Sequence, residues 1–237
     1  MTPERPLDSL GFLNVEPLTR EEVAAVRAHF AERHPLPGYL PGRLTPFERS
    51  KAYTLADCDA RNRFACYEMA AVLSAPHLLA KALSAEVLNP VHDFLGVEPK
   101  MYSASAFWTF PRSDAISTQI MHRDRDTDDG RFVSLFISLT DEAEQYYLPG
   151  SHDPQRFAAL CKKHGHPRTD YNAHKNLGIH RSYLIDFPVV RVLGGPAGRC
   201  VLTLPFGLHA GAPSPEPRLV AWFRYAAGPT KAYVVDR

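Results

Sequence analysis

The residues of this chain best suited to metal chemistry are a histidine and an aspartate at a spacing of two, His122-Arg-Asp124. Because side chains alternate along a strand, this spacing puts both on one face. An imidazole and a carboxylate on one face are two members of a 2-His-1-carboxylate facial triad, which binds Fe(II) and leaves positions open for a co-substrate and O2. Taken alone, the pair is weak evidence, since a surface ion pair among residues 123–126 would give the same pattern and contribute little.

A second histidine and an arginine strengthen the case for a site. His209 lies in Leu204-Pro-Phe-Gly-Leu-His-Ala-Gly211, directly after a predicted strand, and Arg218 opens the apolar stretch Leu219-Val-Ala-Trp-Phe223. A buried arginine at the mouth of a strand needs an anion, and its planar fork suits a carboxylate. Taken alone, a histidine such as His209 is more often an ordinary loop residue, and an arginine such as Arg218 is more often a surface charge. Their order and their places at element ends favour a common metal and carboxylate site.

The elements that must position these residues change in type near residue 100. The first ~95 residues are predicted to be mainly helical: Thr19-Arg-Glu-Glu22 is a capping box, and a second helical zone spans residues 65–95. Short β-prone segments follow, separated by glycine and proline turns, at residues 104–110, 117–122, 131–139, 146–148, 189–193, 199–204 and 219–225. The expected fold class is mainly β with flanking α, an antiparallel sandwich or barrel that the N-terminal helices cover.

Composition narrows the classes of protein. The 237 residues fit one domain spanning 1–237, with a helical flank over 1–95 and a β core over 100–230. Lys plus Arg is 27 against 26 for Asp plus Glu, so no global field favours nucleic acid or an anionic membrane. The four scattered cysteines predict free thiols in a reducing compartment. With no signal peptide and no apolar run of membrane-spanning length, we expect a soluble, cytoplasmic protein.

From about residue 88 to 225 the chain resembles the phytanoyl-CoA-dioxygenase-like branch of the Fe(II)/2-oxoglutarate oxygenases. The resemblance rests on Gln119-Ile-Met-His-Arg-Asp124, Leu135-Phe-Ile-Ser-Leu-Thr-Asp141, Leu148-Pro-Gly-Ser-His152, Gly195-Pro-Ala-Gly198, Leu208-His-Ala-Gly211 and Arg218. It implies a double-stranded β-helix core, the jelly-roll or cupin-like fold, with helices outside. It also implies Fe(II) bound by His122, Asp124 and His209, O2 as oxidant, and 2-oxoglutarate with its tail on Arg218.

The chain departs from this family at two places and keeps the expected residue at a third. Gly211 stands where many members have Ser or Thr, which puts that contact to the co-substrate in doubt. The stretch 143–148, which precedes the Pro-Gly-Ser-His motif, is more polar than the apolar sequence that is usual there in the family. Asp124 is retained, whereas related halogenases have a small residue there, so the resemblance favours hydroxylation or desaturation over halogenation.

Other residues near the motif are weaker candidates. Gln119 could hydrogen-bond the co-substrate or substrate, and Tyr102 and Trp108 could line the pocket, although aromatic residues at such positions are more often core. In the family, the Pro-Gly-Ser-His motif is a structural turn, so His152 is excluded as a ligand. Further histidines at 164, 166, 174 and 180 lie in a segment without strand signal.

The segment 153–181 is predicted to be a lid-like insertion. It contains six fixed positive charges, Arg168 among them, against Asp153 and Asp170. It is either a solvent-exposed surface loop without a binding role or a loop that recruits an anionic or carrier-bound small molecule.

Three functional hypotheses remain open. The first is an Fe(II)/2-oxoglutarate dioxygenase that hydroxylates a C–H bond of a small metabolite. The second keeps the iron site but catalyses desaturation, epimerisation or cyclisation. The third is a non-catalytic jelly-roll binding protein. Neither the prime substrate nor the oligomeric state can be read from the sequence, because a fold does not specify a function.

Overall fold

The computed structural model describes residues 5–33, 35–37, 64–111, 119, 121–124, 126–127, 129–163 and 188–228. The helices are α1 (Pro6–Leu10), α2 (Arg20–Ala31), α3 (Met69–Leu73), α4 (Leu78–Ala82), α5 (Ala85–Leu95) and α6 (Pro154–Lys163). The strands are β1 (Phe12–Val15), β2 (Leu36–Pro37), β3 (Phe64–Tyr67), β4 (Lys100–Thr109), β5 (Phe132–Ser138), β6 (Gln145–Tyr147), β7 (Val190–Leu193), β8 (Cys200–Thr203), β9 (His209–Gly211) and β10 (Arg218–Ala226).

The strands form two antiparallel sheets. The larger has the order β1-β8-β5-β10-β4-β3-β2, and the smaller has the order β7-β6-β9. Neighbours in both sheets run antiparallel. Strand β5 is buried at every position because both of its faces are covered. The prediction of a mainly β chain with antiparallel sheets and covering helices is confirmed.

The two faces of the large sheet pack into different cores. One face packs with the helices in a cluster that includes Val26, Leu78, Val91, Leu135, Ile137, Leu219, Ala221, Phe223 and Tyr225. The other joins the small sheet in a cluster that includes Phe136, Tyr147, Leu193, Val201, Val220 and Trp222. Because side chains alternate along β10, Arg218 and Arg224 belong to the second face, together with Val220 and Trp222. This second face is the floor of the candidate site.

Helix α2 begins as the sequence predicts. The Thr19 hydroxyl accepts a hydrogen bond from the Glu22 amide at 3.2 Å, and the Glu22 carboxylate accepts one from the Thr19 amide at 2.8 Å. This capping box satisfies two backbone N–H groups that the first turn would otherwise leave unpaired. The buried face of the helix is Val23, Val26 and Phe30.

The helical prediction for residues 65–95 is wrong at its start. Phe64–Tyr67 is strand β3, which pairs with β4 along Phe64↔Thr109 to Tyr67↔Ala106. A four-residue apolar run does not distinguish a strand from a helix by periodicity, so the partner strand decides. Beyond β3 the zone is helical as predicted and consists of α3, α4 and α5. The first break contains Pro76 and His77, whose φ of 64° is left-handed.

The predicted insertion 153–181 begins with a helix, α6. Asp153 Oδ1 accepts hydrogen bonds from the amides of Gln155 at 2.7 Å and Arg156 at 3.1 Å, which is an N-cap. The Asp153-Pro154 pair signals this helix start, because proline suits the first helical position. Residues 164–181 lie outside the described part of the chain. Among the described helices, none is long and apolar enough to cross a membrane.

Candidate metal centre and its arginines

Backbone pairing brings the two histidine-bearing segments together. The His122 amide donates to the His209 carbonyl at 2.9 Å, and the His209 amide donates to the His122 carbonyl at 3.0 Å. Two residues on, the Asp124 amide donates to the Pro205 carbonyl at 2.9 Å. A pair that exchanges both hydrogen bonds places its side chains directly opposite each other. Segments distant in sequence are therefore held in register at the predicted ligands.

The side chains of His122, Asp124 and His209 converge on one point. His122 Nε2 lies 3.7 Å from Asp124 Oδ1, and His209 Nε2 lies 3.9 Å from Asp124 Oδ2. One ligand atom from each residue can be chosen so that all three lie within 4.8 Å of one another. The imidazole centroids are 4.4 Å apart, and both histidines are buried. Two nitrogens and one oxygen in this arrangement fit the facial triad of a non-haem iron site.

Hydrogen bonding and charge prepare the donors for a metal. His209 Nδ1 lies 3.0 Å from the Gly207 carbonyl. A carbonyl only accepts, so we assign the proton to Nδ1, which leaves Nε2 free to bind a metal. Burial would raise the pKa of Asp124, but Arg224, His209 and His122 outweigh it and hold that pKa at about 2. Burial and the neighbouring His122 lower the pKa of His209 to about 4. Near neutral pH the carboxylate is charged and His209 is neutral, as metal binding requires.

The Pro-Gly-Ser-His motif supports the strand of His209. The Ser151 hydroxyl donates to the Leu148 carbonyl at 2.6 Å and accepts from the Leu208 amide at 2.7 Å. Leu208 precedes the candidate ligand His209, so this turn fixes the start of β9. The His152 ring instead lies 2.9 Å from the Asp8 carbonyl through Nε2. Within the described ranges, the only group of three potential metal ligands is His122, Asp124 and His209.

Arg218 is buried beside the same stretch of β9. Its side chain donates from Nη1 to the Glu144 carbonyl at 2.7 Å, while its buried Nε has no hydrogen-bond partner. Among the described residues, no carboxylate forms an ion pair with this guanidinium. Burial lowers the pKa of Arg218 to about 10, and the more distant Glu144 carboxylate only partly offsets that effect. A buried cation in this state can receive a carboxylate from a ligand.

Gly211 makes room for this arginine. A Cβ atom at position 211 would overlap Arg218 Nη2, so a Ser or Thr there could not coexist with the observed guanidinium position. This gives the departure from the family pattern a steric reason. His209 and Gly211 share a face of β9, because they are two residues apart. The guanidinium therefore lies about 7 Å along the strand from the metal-ligand position.

Arg224 is a site residue that the sequence reasoning missed. Its Nη2 donates to Asp124 Oδ2 at 2.5 Å, and its Nη1 donates to Asp126 Oδ2. Asp126 Oδ2 also accepts a hydrogen bond from the Tyr102 hydroxyl at 2.8 Å. Two signals could have found Arg224: it shares a strand face with Arg218, and Asp126 repeats the spacing of two that follows His122.

The structure places the remaining candidates as follows. Tyr102 reaches the site through Asp126, and Gln119 is buried near the start of the His122 segment. Trp108 pairs with Leu219, packs against the helix-side core and donates from Nε1 to the Tyr67 hydroxyl at 3.0 Å. Its side chain therefore lies on the opposite side of the sheet from Arg218. Arg168 lies outside the described residues.

The surface ion pair considered for residues 123–126 does not describe this segment. Only 2% of Arg123 and 8% of Asp126 are exposed. The Arg123 guanidinium lies over the Phe157 ring, 4.4 Å from its centroid, which connects the segment to α6. These burial values exclude a solvated pair of little energetic consequence.

No family model and no curated protein matches the chain. Solved structures do match it. The non-haem alpha ketoglutarate dependent epimerase SnoN from nogalamycin biosynthesis is 17% identical with a TM-score of 0.59, and the match covers 93% of this chain and 80% of SnoN. HygX from Streptomyces hygroscopicus, crystallised with nickel and 2-oxoglutarate, is 19% identical with a TM-score of 0.56, over 94% of this chain and 84% of HygX.

EctD from S. alaskensis, crystallised with 2-oxoglutarate and 5-hydroxyectoine, is 18% identical with a TM-score of 0.55, over 93% of this chain and 73% of EctD. At these identities the likeness is one of fold. It extends over nearly the whole chain, and it does not single out the phytanoyl-CoA-dioxygenase-like branch. The expected jelly-roll fold is confirmed: the chain shares the architecture of SnoN, HygX and EctD.

Proposed function

We propose that the chain is an Fe(II)- and 2-oxoglutarate-dependent oxygenase. In this proposal His122, Asp124 and His209 hold the iron, and Arg218 binds the distal carboxylate of 2-oxoglutarate. The observation that supports it most strongly is a complete triad with two buried histidines, next to a buried arginine that has no acidic partner among the described residues. Bound iron would couple the oxidative decarboxylation of 2-oxoglutarate to oxidation of a second substrate by O2. HygX and EctD are crystallised with the same co-substrate.

The residues of the chain bind and orient the reactants. A five-carbon diacid suits a site whose metal ligand His209 and carboxylate-binding Arg218 are separated by about two strand residues. Val220 and Trp222 lie between the two arginines on the inner face of β10, so the floor beneath the co-substrate is apolar. This surface helps to exclude water from the reacting centre. We assign no protein side chain as a general base.

The favoured reaction is hydroxylation of a C–H bond in a small molecule, and the carboxylate of Asp124 disfavours halogenation. Desaturation, epimerisation and cyclisation with the same iron site are the second candidate. SnoN is an epimerase, and SnoK, which is 16% identical with a TM-score of 0.53, is a carbocyclase. Analysis of products would separate these outcomes, because hydroxylation adds one oxygen atom and the other reactions add none. Succinate formation screened against amino acids, sugar acids and acyl thioesters would identify the substrate class.

Anaerobic titration with Fe(II) and 2-oxoglutarate tests the proposal. We expect a weak visible charge-transfer band in the wild-type protein. His122→Ala should abolish the band by removing a ligand, whereas His152→Ala should leave it, because that ring contacts the Asp8 carbonyl outside the triad. A well-folded wild-type protein without the band would reject the proposal and favour a non-catalytic jelly-roll binding protein.

A further inference from the structure

We propose that Arg224 is a positioning residue that occupies one oxygen of the Asp124 carboxylate, so that Asp124 binds the metal through its other oxygen alone. The inference rests on the proposed function, since it concerns the same metal site. Asp124 Oδ2 accepts the hydrogen bond from Arg224 Nη2 at 2.5 Å. Asp124 Oδ1 lies 3.7 Å from His122 Nε2 and Oδ2 lies 3.9 Å from His209 Nε2, so both oxygens face the triad, but only Oδ2 also accepts the arginine hydrogen bond. The two oxygens thus have different surroundings before any metal binds.

The number of oxygens that Asp124 donates decides how many positions the metal keeps open. Two imidazoles and one carboxylate oxygen would hold a metal while leaving positions open for other ligands. A 2-oxo acid that chelated through its keto and carboxylate oxygens would need two of these positions. A carboxylate bound through both oxygens would remove one position. A charge-assisted hydrogen bond on Oδ2 opposes that second bond.

Besides Asp124, Arg224 contacts a second carboxylate and an aromatic ring. Asp126 accepts from Nη1, and the Tyr102 hydroxyl donates to the same Asp126 oxygen at 2.8 Å. The Trp222 ring lies beneath the guanidinium, whose central carbon is 4.1 Å from the ring centroid. Only 13% of the Arg224 side chain is exposed. The planar fork spans two carboxylates on separate residues, which a lysine ammonium cannot do in the same geometry.

Simple charge neutralisation is the competing explanation. Arg224 could serve only to balance Asp124 and Asp126, in which case any cation at this position would suffice. Arg224→Lys separates the explanations, because it keeps the charge but loses the fork. Arg224→Met removes both, and Arg218→Met provides a matched control on the same face of β10.

The experiment measures Co(II) binding anaerobically and then the affinity of each Co(II)-loaded protein for two chelators. The first is 2-oxoglutarate, and the second is pyruvate, which has the same 2-oxo acid group but no distal carboxylate. Arg224→Met should retain Co(II) but bind both chelators roughly tenfold more weakly or worse, the range typical of outer-shell partners. Arg224→Lys should show the same loss for pyruvate. Arg218→Met should weaken 2-oxoglutarate alone and leave pyruvate unchanged.

Each alternative outcome has a defined meaning. Wild-type affinity for pyruvate in Arg224→Lys would overturn the inference in favour of charge neutralisation. Equal losses of Co(II) and chelator affinity in both Arg224 variants would also overturn it, since they indicate a general structural role. Failure of the wild-type protein to bind Co(II) would reject the metal site itself and this inference with it. Should Arg224→Met fail to fold, the lysine variant alone decides.

Discussion

Two arginines on one face of β10 have opposite surroundings. Arg224 is bound by the carboxylates of Asp124 and Asp126, whereas Arg218 donates to a backbone carbonyl and forms no ion pair with a carboxylate among the described residues. Burying a charge is costly unless it is paired. At Arg224 the carboxylates of Asp124 and Asp126 offset the desolvation of the guanidinium. At Arg218 the cost remains until an anion arrives, which is why we assign Arg218 to a ligand.

The electrostatics of the two side chains agree with their contacts. Burial lowers the pKa of Arg218 to about 10. Burial acts in the same direction on Arg224, but Asp124 and Asp126 outweigh it and raise the pKa of Arg224 above its ordinary value. The comparison teaches that burial of an arginine does not identify a ligand site. The absence of an internal carboxylate, seen here among the described residues, is the discriminating feature.

The largest expected effect on stability comes from Arg224→Met. It leaves Asp124 and Asp126 close together without their shared cation, so we expect the metal-free protein to lose about 3 kcal/mol of unfolding free energy. Urea denaturation in the presence of a chelator measures this loss. Added Co(II) should restore part of it, because the metal supplies a positive charge at Asp124. A variant as stable as the wild type would contradict the assigned ion-pair network.

Arg218→Met should have the opposite profile. It removes an incompletely paired buried cation, so stability should stay the same or rise. The affinity of the metal-loaded protein for 2-oxoglutarate should fall roughly 100-fold, in line with the loss of a charge-assisted hydrogen-bond pair. Isothermal titration calorimetry and urea denaturation measure the two quantities. A destabilised variant with unchanged co-substrate affinity would reverse the roles that we assign to the arginines.

Gly211→Ala tests the space around Arg218 without changing any charge. The new Cβ overlaps the guanidinium position, so Arg218 must shift, and affinity for 2-oxoglutarate should fall by about tenfold while metal affinity persists. Gly228→Ala is the matched control, because a Cβ there has no neighbour within 4 Å. Equal affinities in the two variants would show that the position of Arg218 does not limit co-substrate binding.

The smallest effect is expected at Trp108, on the other face of the sheet. Trp108→Phe loses the hydrogen bond to the Tyr67 hydroxyl and some packing, a cost of about 1 kcal/mol. Affinities for metal and 2-oxoglutarate should not change. Denaturation and calorimetry on the same protein sample give both values. A selective loss of co-substrate affinity at full stability would place this indole in the pocket after all.

The candidate ligand set could be proposed from the sequence because part of it depends on local periodicity. A spacing of two predicts a shared face for His122 and Asp124, and His209 lies directly after a predicted strand, at the end of an element. The fold class followed from the spacing of short apolar segments. Sequence patterns of this kind are informative because the local preferences and the tertiary contacts favour the same structure.

The Arg224 network was not predictable with the same certainty. Four consecutive charges at 123–126 give no local indication of which side chains turn inward, and Arg123 is buried under different contacts from Asp126. Strand β3 was predicted to be helical for a similar reason: the conformation of its four apolar residues depends on pairing with β4, which the local sequence does not reveal. The role of Gly211 also depends on a side chain from another strand, which no sequence spacing specifies.

The most direct test of the account is an anaerobic crystal structure with a divalent metal and 2-oxoglutarate. We predict one ion bound by His122, Asp124 and His209, with the 2-oxo acid end on the metal and the distal carboxylate on the guanidinium of Arg218. A metal bound elsewhere with these three side chains empty, or a 2-oxoglutarate whose tail does not touch Arg218, would contradict the account.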